Sequence, residues 1–574
     1  MILVFGGTTE GRKAVEVLEE GGSPYFYSTK TGEQDITLHH GQRIDGALDE
    51  EAMRAFCQAQ HIRLIVDAAH PFASQLHQTI AQVSEALNIP AIRYERIYPE
   101  RDPEISWIDD YSQIPRSIHS LLATTGVQSI SKLKPLEAEG IRIYYRILQR
   151  ESSIALALKQ GASPEQLCYY EDPQDIPVEA ETILLKESGL SGGFPEKVEA
   201  AKSRGMRIIA LKRPETLAFF AIVNGPYGLR RMVEKLLPEF YPLHSGLTTG
   251  TCATAAAVAA ALRLLKKEKP EEVPVLLPDG ETIYVPVSYS EEYASVFKDA
   301  GDDPDVTNGL EIRASVKPSE TFEILGGEGV GRFTLPGFDY PPGEAAINKA
   351  PREMIRQNLE SYGVPLQVTI SVPEGAEIAR RTFNPRLGIE GGISIIGVSG
   401  IVKPFSEEAF IESIRKCMTV AKASGSERVV INSGGKSERF VRALYPTLPQ
   451  QAFVEYGNYI GETLKIAHEL NIKKVTLGVM LGKAVKLAQG HLDTHSRKAT
   501  MDKDFIYTML REAGIETDIS DITLARELWE KIPKEKTQDF VRVVISHCET
   551  FCKPLLPEGT LTTLLIDDEG TIYS

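Results

Sequence analysis

Three places in this sequence set small residues where an apolar run meets a helical pattern, an arrangement that brings backbone N–H groups up to a phosphate or other anion. The first is Gly6, Gly7, Thr8, Thr9 and Glu10, between the apolar run 2–5 and an amphipathic stretch at 12–20. The second is Ser188, Gly189, Gly192 and Gly193, between a strand pattern at 182–186 and a helix at 195–204. The third is Ser433, Gly434 and Gly435, between a strand at 428–432 and a helix at 437–444. The first turn lacks the full G-x-G-x-x-G spacing, so an ordinary tight turn competes with a dinucleotide site. A dinucleotide also needs a ribose reader at the end of the second strand, here 24–27. Ser28, Thr29 and Lys30 follow it with no acid among them, which suits a 2′-phosphate and tips the reading from NADH towards NADPH. His70 lies just past a strand at 63–68, where open α/β sheets bind ligands; a plain His-Pro turn is the competing reading.

A second set of residues lies further along. Thr249 and Thr251 open an alanine-rich helix at 253–265, where they would cap it and leave an anion site for substrate. The competing reading is a capped helix packed closely through its alanines, with Cys252 as one more small buried residue. Gly327, Gly329 and Gly331 follow an apolar strand, as a methyltransferase glycine loop does. The sequence after them, Phe333 to Gly337, is not helical, so a hairpin pressed against a flat ligand is expected. Lys349, Arg352, Arg380, Arg381, Arg386 and Lys403 gather beside glycine and proline, and an arginine fork suits carboxylates. Asp299, Asp302, Asp303 and Asp305 form an acidic turn that either is structural or assists proton removal; Leu310 stands where a calcium loop needs a bidentate Glu. His491, Asp493 and His495 read as a polar active-site loop rather than a zinc site. Cys548 and Cys552 beside His547 read as packing, so no metal site is expected.

These groups must be positioned by several domains, because 574 residues exceed one hydrophobic core. Strand and helix patterns alternate over the first ~240 residues, implying parallel, doubly wound sheets that divide near 110–130. A change of style follows Pro242: residues 270–400 are rich in Gly, Pro and β-branched residues, and strand–helix alternation returns from about 406. The fold class expected is therefore α/β plus α+β, multidomain. Two Rossmann-like subdomains fall at about 1–115 and 116–242, an α+β part at about 243–405 and a Rossmann-like part at about 406–574. The net charge of −16 argues against nucleic acid as a partner. Apolar runs are too short for a bilayer. Six cysteines form no disulfide framework and the start carries no basic leader, so a cytoplasmic protein is expected.

Two resemblances add to this. The Gly-Gly-Thr-Thr-Glu-Gly start, Asp-Ala-Ala-His-Pro-Phe-Ala at 67–73, and Lys-Glu-Ser-Gly from 186 through Gly192, Gly193, Lys197 and Arg213-Pro214 resemble the precorrin-6A reductase family. The resemblance implies a pair of Rossmann-like subdomains and hydride transfer from NADPH or NADH to a macrocycle double bond; His70 is the candidate proton donor. Thr-Thr-Gly-Thr-Cys at 248–252, Lys-Asp-Ala-Gly-Asp-Asp-Pro-Asp at 298–305, Gly-Gly-Glu-Gly-Val-Gly-Arg at 326–332, Phe-Asn-Pro-Arg-Leu-Gly-Ile at 383–389 and Thr494-His495-Ser496 resemble the cobalt-precorrin-5B C(1)-methyltransferase family. That implies methyl transfer from S-adenosylmethionine to a cobalt-corrinoid, with Asp299, Asp302 or His495 assisting proton loss. The partners expected are cobalt-corrinoid small molecules, with no nucleic acid and no membrane; a homo-oligomer is left open. The rival readings are a tetrapyrrole-binding carrier or sensor, and an enzyme with one of the two activities.

Overall fold

The computed structural model describes every residue except 31–33, 216 and 497. The chain divides into two units, one of Met1–Ser245 with Leu276–Tyr284, the other of Gly246–Val275 with Val285–Ser574.

The first unit is built on strands β1 (Ile2–Phe5), β2 (Tyr25–Thr29), β3 (Gly41–Asp45), β4 (Leu64–Asp67), β5 (Ala91–Tyr94), β6 (Ser106–Ile108), β7 (Ser120–Ala123), β8 (Arg142–Ile147), β9 (Leu167–Tyr169), β10 (Thr182–Lys186), β11 (Arg207–Leu211) and β12 (Ala221–Val223). They form two six-stranded sheets, ordered β12-β5-β4-β1-β2-β3 and β6-β11-β10-β7-β8-β9. The pairings are parallel in both. β1, β2, β4 and β5 are buried at every residue, as strands covered by helices on both faces require. In the first sheet the strand order reverses between β1 and β4, in the second between β7 and β10. Ligands of doubly wound sheets bind outside the carboxyl ends at such reversals.

The two sheets are not consecutive in sequence. Already at residues 106–108 the chain is in the second sheet, ahead of the division expected near 110–130. β12 returns to the first sheet, where Phe220 N–H donates to Ala91 O (3.0 Å) and Glu95 N–H to Val223 O (2.7 Å). Strands of three residues are too short to show a period, so the crossing leaves no pattern to read.

In the second unit the helix Thr249–Lys266 is buried throughout residues 249–262, which explains its alanines. It packs on a sheet of β13 (Ser288–Tyr289), β14 (Ala294–Phe297), β15 (Glu311–Pro318), β16 (Glu323–Gly326) and β17 (Leu366–Ser371), ordered β13-β14-β15-β17-β16. A later sheet holds β18 (Arg428–Asn432), β19 (Phe453–Glu455), β20 (Lys474–Met480), β21 (Thr560–Ile566) and β22 (Ile572–Tyr573), ordered β19-β18-β20-β21-β22. Only its β21–β22 pairing is antiparallel among these strands. Its order reverses between β18 and β20. No helix among the described residues is long and apolar enough to cross a membrane.

Leu276–Tyr284 counts with the first unit although it lies inside the sequence of the second. Its Glu281 carboxylate accepts from the N–H groups of Tyr227 (3.0 Å) and Gly228 at the start of the helix Pro226–Leu236. A helix start favours an acid there. Gly225 makes the room, since a Cβ would fall 2.3 Å from Glu281 Cδ. Glu281 is 1% exposed, and burial pushes its carboxyl up from 4.5 to about 7. The folded group thus holds its proton more tightly than the unfolded one, so ionising it costs stability as pH rises through that window, and the full cost remains above it. Glu281→Gln removes this titration. Between pH 5 and pH 8 the variant should gain roughly 2 kcal/mol relative to the parent in denaturant unfolding; parallel pH profiles for the two proteins would refute the assignment.

Candidate functional site

At the β1–β4 reversal, β1 runs into Gly6 and Gly7. A Cβ at Gly6 would fall 2.1 Å from Tyr27 Oη, so this residue must be glycine for the ring to lie against it. Gly7 has φ +87°. Thr8 caps the helix Thr9–Glu19, accepting from Gly11 N–H (3.0 Å) and donating to Ala68 O (2.6 Å); Thr9 is exposed. The Gly7 N–H meets Tyr27 Oη at 3.0 Å and Gln34 Oε1 at 3.2 Å. Gln34 is a site residue the sequence reading passed over, since nothing in its context marks it. Ser28 and Thr29 are buried at the end of β2. No acid stands among Ser28, Thr29 and Lys30, but the neighbouring strand carries one. β3 supplies Asp45, which accepts from Thr29 Oγ1 (3.2 Å) and pairs with Arg43 (3.1 Å). Mixed charge at this strand end singles out neither NADPH nor NADH.

The loop after β4 is fastened from beneath. Asp67, fully buried, receives Arg93 Nη1 (2.9 Å), Ala69 N–H (3.1 Å) and His77 Nδ1 (2.6 Å). His77 Nε2 reaches the His70 carbonyl at 3.1 Å. His70 is thereby presented at the sheet edge, its Nδ1 accepting from Phe72 N–H (3.2 Å). Burial, then Arg96, Lys186, Arg93 and Lys197, hold its pKa down at about 3. His70 is therefore neutral at ordinary pH and carries no imidazolium charge.

The second turn closes on the first. Gly189 and Gly193 have φ of +70° and +67°. Ser188 Oγ donates to Gly192 O (3.1 Å), and Lys197 Nζ donates to the same carbonyl (2.7 Å). A Cβ on Gly192 would fall 2.7 Å from Arg96 Nη1. Arg96 donates through Nε to Glu10 Oε2 (2.9 Å) and through Nη1 to Ser188 O (2.8 Å), while Ser191 Oγ donates to Glu10 Oε1. Glu10, expected among the cofactor contacts, is instead a strut whose carboxylate is already engaged. From β10, Lys186 Nζ lies 4.9 Å from the centre of the Phe72 ring. Both reversals thus face one place.

In the second unit several expected contacts serve the protein itself. Thr249 Oγ1 accepts from Ile396 N–H (2.8 Å), Thr251 Oγ1 donates to Gly400 O (2.6 Å), and Gly250 N–H donates to Ile396 O (2.9 Å). Both threonines are buried and the helix start is closed by the 394–400 loop, so the expected anion site is not there. Gly329 (φ +69°) lies against backbone, where a Cβ would meet Val372 O at 1.7 Å; Gly327 lies against Ser371 and Gly331 against Ile389 and Gly392. Their smallness answers to the chain rather than to a flat ligand. Arg352 binds Ile347 O (2.9 Å), Ala345 O (3.1 Å) and Glu344 (3.1 Å), and Arg386 pairs with Glu438 (2.9 Å). Lys349 is exposed, 3.8 Å from Glu353.

Asp299 and Asp302 are exposed, in a loop braced by Lys298–Asp305 (2.7 Å) and by Asn308 Oδ1 on Ala300 N–H (2.9 Å). Asp303 accepts from Phe405 N–H (3.1 Å) just ahead of the helix Glu407–Ala423. Glu407 pairs with Lys498 (2.9 Å), Lys498 with Asp493 (2.8 Å), and Asp493 accepts from His495 N–H (3.0 Å). The structure therefore anchors the acidic turn and the His495 loop at one helix start. Phe405, between them, is 67% exposed at φ +55°, a conformation a bulky side chain rarely adopts. The segment 490–495 is a loop, and the described residues hold no group of three His, Cys, Asp or Glu able to bind a metal.

At the β18–β20 reversal, Gly434 (φ +88°) and Gly435 (φ +50°) open the helix Gly435–Leu444. Glu455, at the end of β19, packs so closely that a Cβ on Gly434 would fall 2.1 Å from its Oε1. Its carboxylate has no hydrogen bond or ion pair among the described residues, and burial pushes its pKa up. An acid about 20 residues beyond the glycine turn, at the next strand end, is the ribose reader of nucleotide folds. The sequence reading missed it because β19 is three residues long. Lys483 donates to Gly457 O, and burial brings its pKa down to about 8. Beside this mouth a cavity of about 280 Å³ is lined by Met480, Gly482, Arg526, Trp529 and Asp568.

Glu10→Ala should cost the first unit about 3 kcal/mol in calorimetric unfolding, since it strands the Arg96 charge at 8% exposure. Ser191→Ala, which removes one neutral donor, should cost about 1 kcal/mol or less. Equal losses would refute the strut.

Comparison with known proteins places both units. The family described as Precorrin-6x reductase CbiJ/CobK matches residues 1–225, and the family described as CbiD matches residues 238–404. A cobalt-precorrin-5B C(1)-methyltransferase from Prosthecochloris aestuarii (strain DSM 271 / SK 413) is 44% identical over 345 residues, covering 56% of this chain and 94% of that protein. Its counterpart from Geobacillus sp. (strain WCH70) is 42% identical over 323 residues, covering 53% and 88%. Among solved structures, cobalamin biosynthesis protein (cbiD) from Archaeoglobus fulgidus is 32% identical, covering 48% of this chain and 85% of that one, with a TM-score of 0.26. A CobK precorrin-6A reductase is 17% identical, covering 41% and 96%, with a TM-score of 0.34. The chain belongs to the cobalt-precorrin-5B C(1)-methyltransferase family and carries ahead of that region a domain of the precorrin-6x reductase family, which makes it a bifunctional enzyme of cobalamin biosynthesis.

Proposed function

We propose that the second unit methylates cobalt-precorrin-5B at C-1 with S-adenosylmethionine, and that the first reduces the product, cobalt-precorrin-6A, to cobalt-precorrin-6B with NADPH or NADH. For the reductase, the supporting observation is the strut of Glu10, Arg96 and Ser188, which brings two sheet reversals to one place. The backbone of Gly6, Gly7 and Thr8 would hold the dinucleotide phosphates, with Gln34 yielding the Gly7 N–H. The nicotinamide, when bound, supplies the hydride. The protein's part is to orient the ring against it and exclude water.

For the methyltransferase, the supporting observation is Glu455, an unpaired acceptor against the Gly434 turn. It would take the ribose hydroxyls of S-adenosylmethionine, with Gly434 and Gly435 beneath the nucleoside. The cofactor, when bound, supplies an electrophilic methyl group, so positioning the electron-rich ring carbon in line can provide much of the rate. Phe405 offers a face for a flat macrocycle between the Asp299–Asp302 turn and the His495 loop, where a proton can be taken up.

Purified chain is to be incubated with cobalt-precorrin-5B, S-adenosylmethionine and reduced nicotinamide, singly and together. The expected mass gains are one methyl and then two hydrogens; binding without any mass change would leave a carrier, and one gain alone a single-activity enzyme. Glu455→Ala should weaken S-adenosylmethionine binding at least about tenfold by calorimetry, as expected for hydrogen bonds to a charged group. Nicotinamide binding should be unaltered, and undiminished S-adenosylmethionine affinity would move that site elsewhere.

A further inference from the structure

Lys186 ends β10 at the reversal of the second sheet and reaches the Phe72 ring, on the loop after β4 of the first sheet. Among the described residues its ammonium makes no hydrogen bond and no ion pair. The charged group acting on it is Lys132 on the helix Ile130–Ala138. Lys186 in turn acts on the ring of His70, as do Arg96, Arg93 and Lys197, the last on the helix Phe194–Ser203. The neighbouring carboxylate, Glu187, is tied to Arg101 (3.0 Å) and Arg213 (2.9 Å). Burial, then Lys132, brings the Lys186 pKa down to about 8. Lys197 is brought down as far, but its ammonium is turned onto the Gly192 carbonyl.

Reducing a conjugated double bond needs a proton as well as a hydride, from an acid whose pKa lies near the working pH. His70, neutral down to about pH 3, offers no such charge. We propose that Lys186 is the proton donor of the reductase site. The π bond opens as the hydride of the reduced nicotinamide forms a C–H bond at one carbon, and the nicotinamide is oxidised. The electron pair at the neighbouring atom of the conjugated system takes the proton of the Lys186 N–H. The amine left behind recovers a proton from water. This assignment rests on the reductase reading and adds to it the residue that completes the reaction.

Lys186→Met and Lys186→Arg are to be compared with the parent in the full chain. Without substrate, lysines labelled by reductive ¹³C-methylation should show by NMR one resonance titrating near pH 8 that is absent from Lys186→Met. With cobalt-precorrin-6A and reduced nicotinamide, kcat should fall at least roughly 100-fold in both variants. The alkaline limb of the kcat profile near pH 8 should vanish, and Lys186→Arg should still bind the macrocycle in absorbance titrations. Arginine keeps the charge but cannot release its proton, so recovery of kcat in Lys186→Arg would reduce Lys186 to a carboxylate grip and overturn the assignment. So would a Lys186 resonance titrating at the ordinary value. Parent protein that binds the macrocycle without ever reducing it would overturn the reductase reading itself; active parent with equally active Lys186→Met would overturn this assignment alone.

Discussion

A carboxylate and a guanidinium withdrawn from water must find each other, and in the first unit that requirement joins the two sheets. Glu10 stands in the first turn of the helix after β1, Arg96 follows β5, and the carbonyl that completes the set belongs to Ser188 beyond β10. Each of these positions is an end of a parallel strand or its adjoining turn, where helix starts leave N–H groups unpaired and glycine lets chains approach. Because a buried charge without its partner is far more costly than a missing neutral contact, the pair holds the turns in register. His70, Phe72, Lys186 and Lys197 are then neighbours by consequence, although more than 100 residues separate the first pair from the second in the sequence.

What could be read from the sequence follows from pattern length. The strands at 182–186, 207–211 and 428–432 each contain an uninterrupted aliphatic run of three or four residues and occur in the structure with those bounds. β6, β12 and β19 have three residues each and carry no period, so the return of the chain to the first sheet, and the acid Glu455 with it, stayed hidden. His77 was equally silent, as one polar residue inside a helix; its work becomes visible only when Asp67 and the His70 carbonyl are placed beside it.

Glycines and threonines marked close approaches of the chain but did not say what they faced. The Gly6 turn and the Gly329 turn look alike in sequence, both lying after apolar strands. At Gly6 the neighbour is the Tyr27 ring and the adjoining Gly7 Cα faces open space; at Gly329 the neighbour is a carbonyl 1.7 Å from a notional Cβ. Thr249 and Thr251 cap a helix as expected, yet the loop at 394–400 occupies the ground where an anion would sit. Local sequence reports that close approach is needed. The identity of what approaches is tertiary information.

The charge balance gains its meaning from the same geometry. A chain with net charge −16 repels a carboxylate-rich ring at long range, but salt screens exposed charges beyond roughly 10 Å. Within that distance the local composition decides. At the reductase edge the nearest titratable groups are Lys132, Lys186, Lys197, Arg96 and a neutral His70, while the adjacent acids Glu10 and Glu187 are already consumed by arginines. Lysines held partly out of water have lost hydration that they would otherwise surrender on binding an anion, so the desolvation cost of gripping a carboxylate is met during folding. An acidic protein can thus hold a polyanion wherever its own acids are neutralised first and the lysines beside them are not.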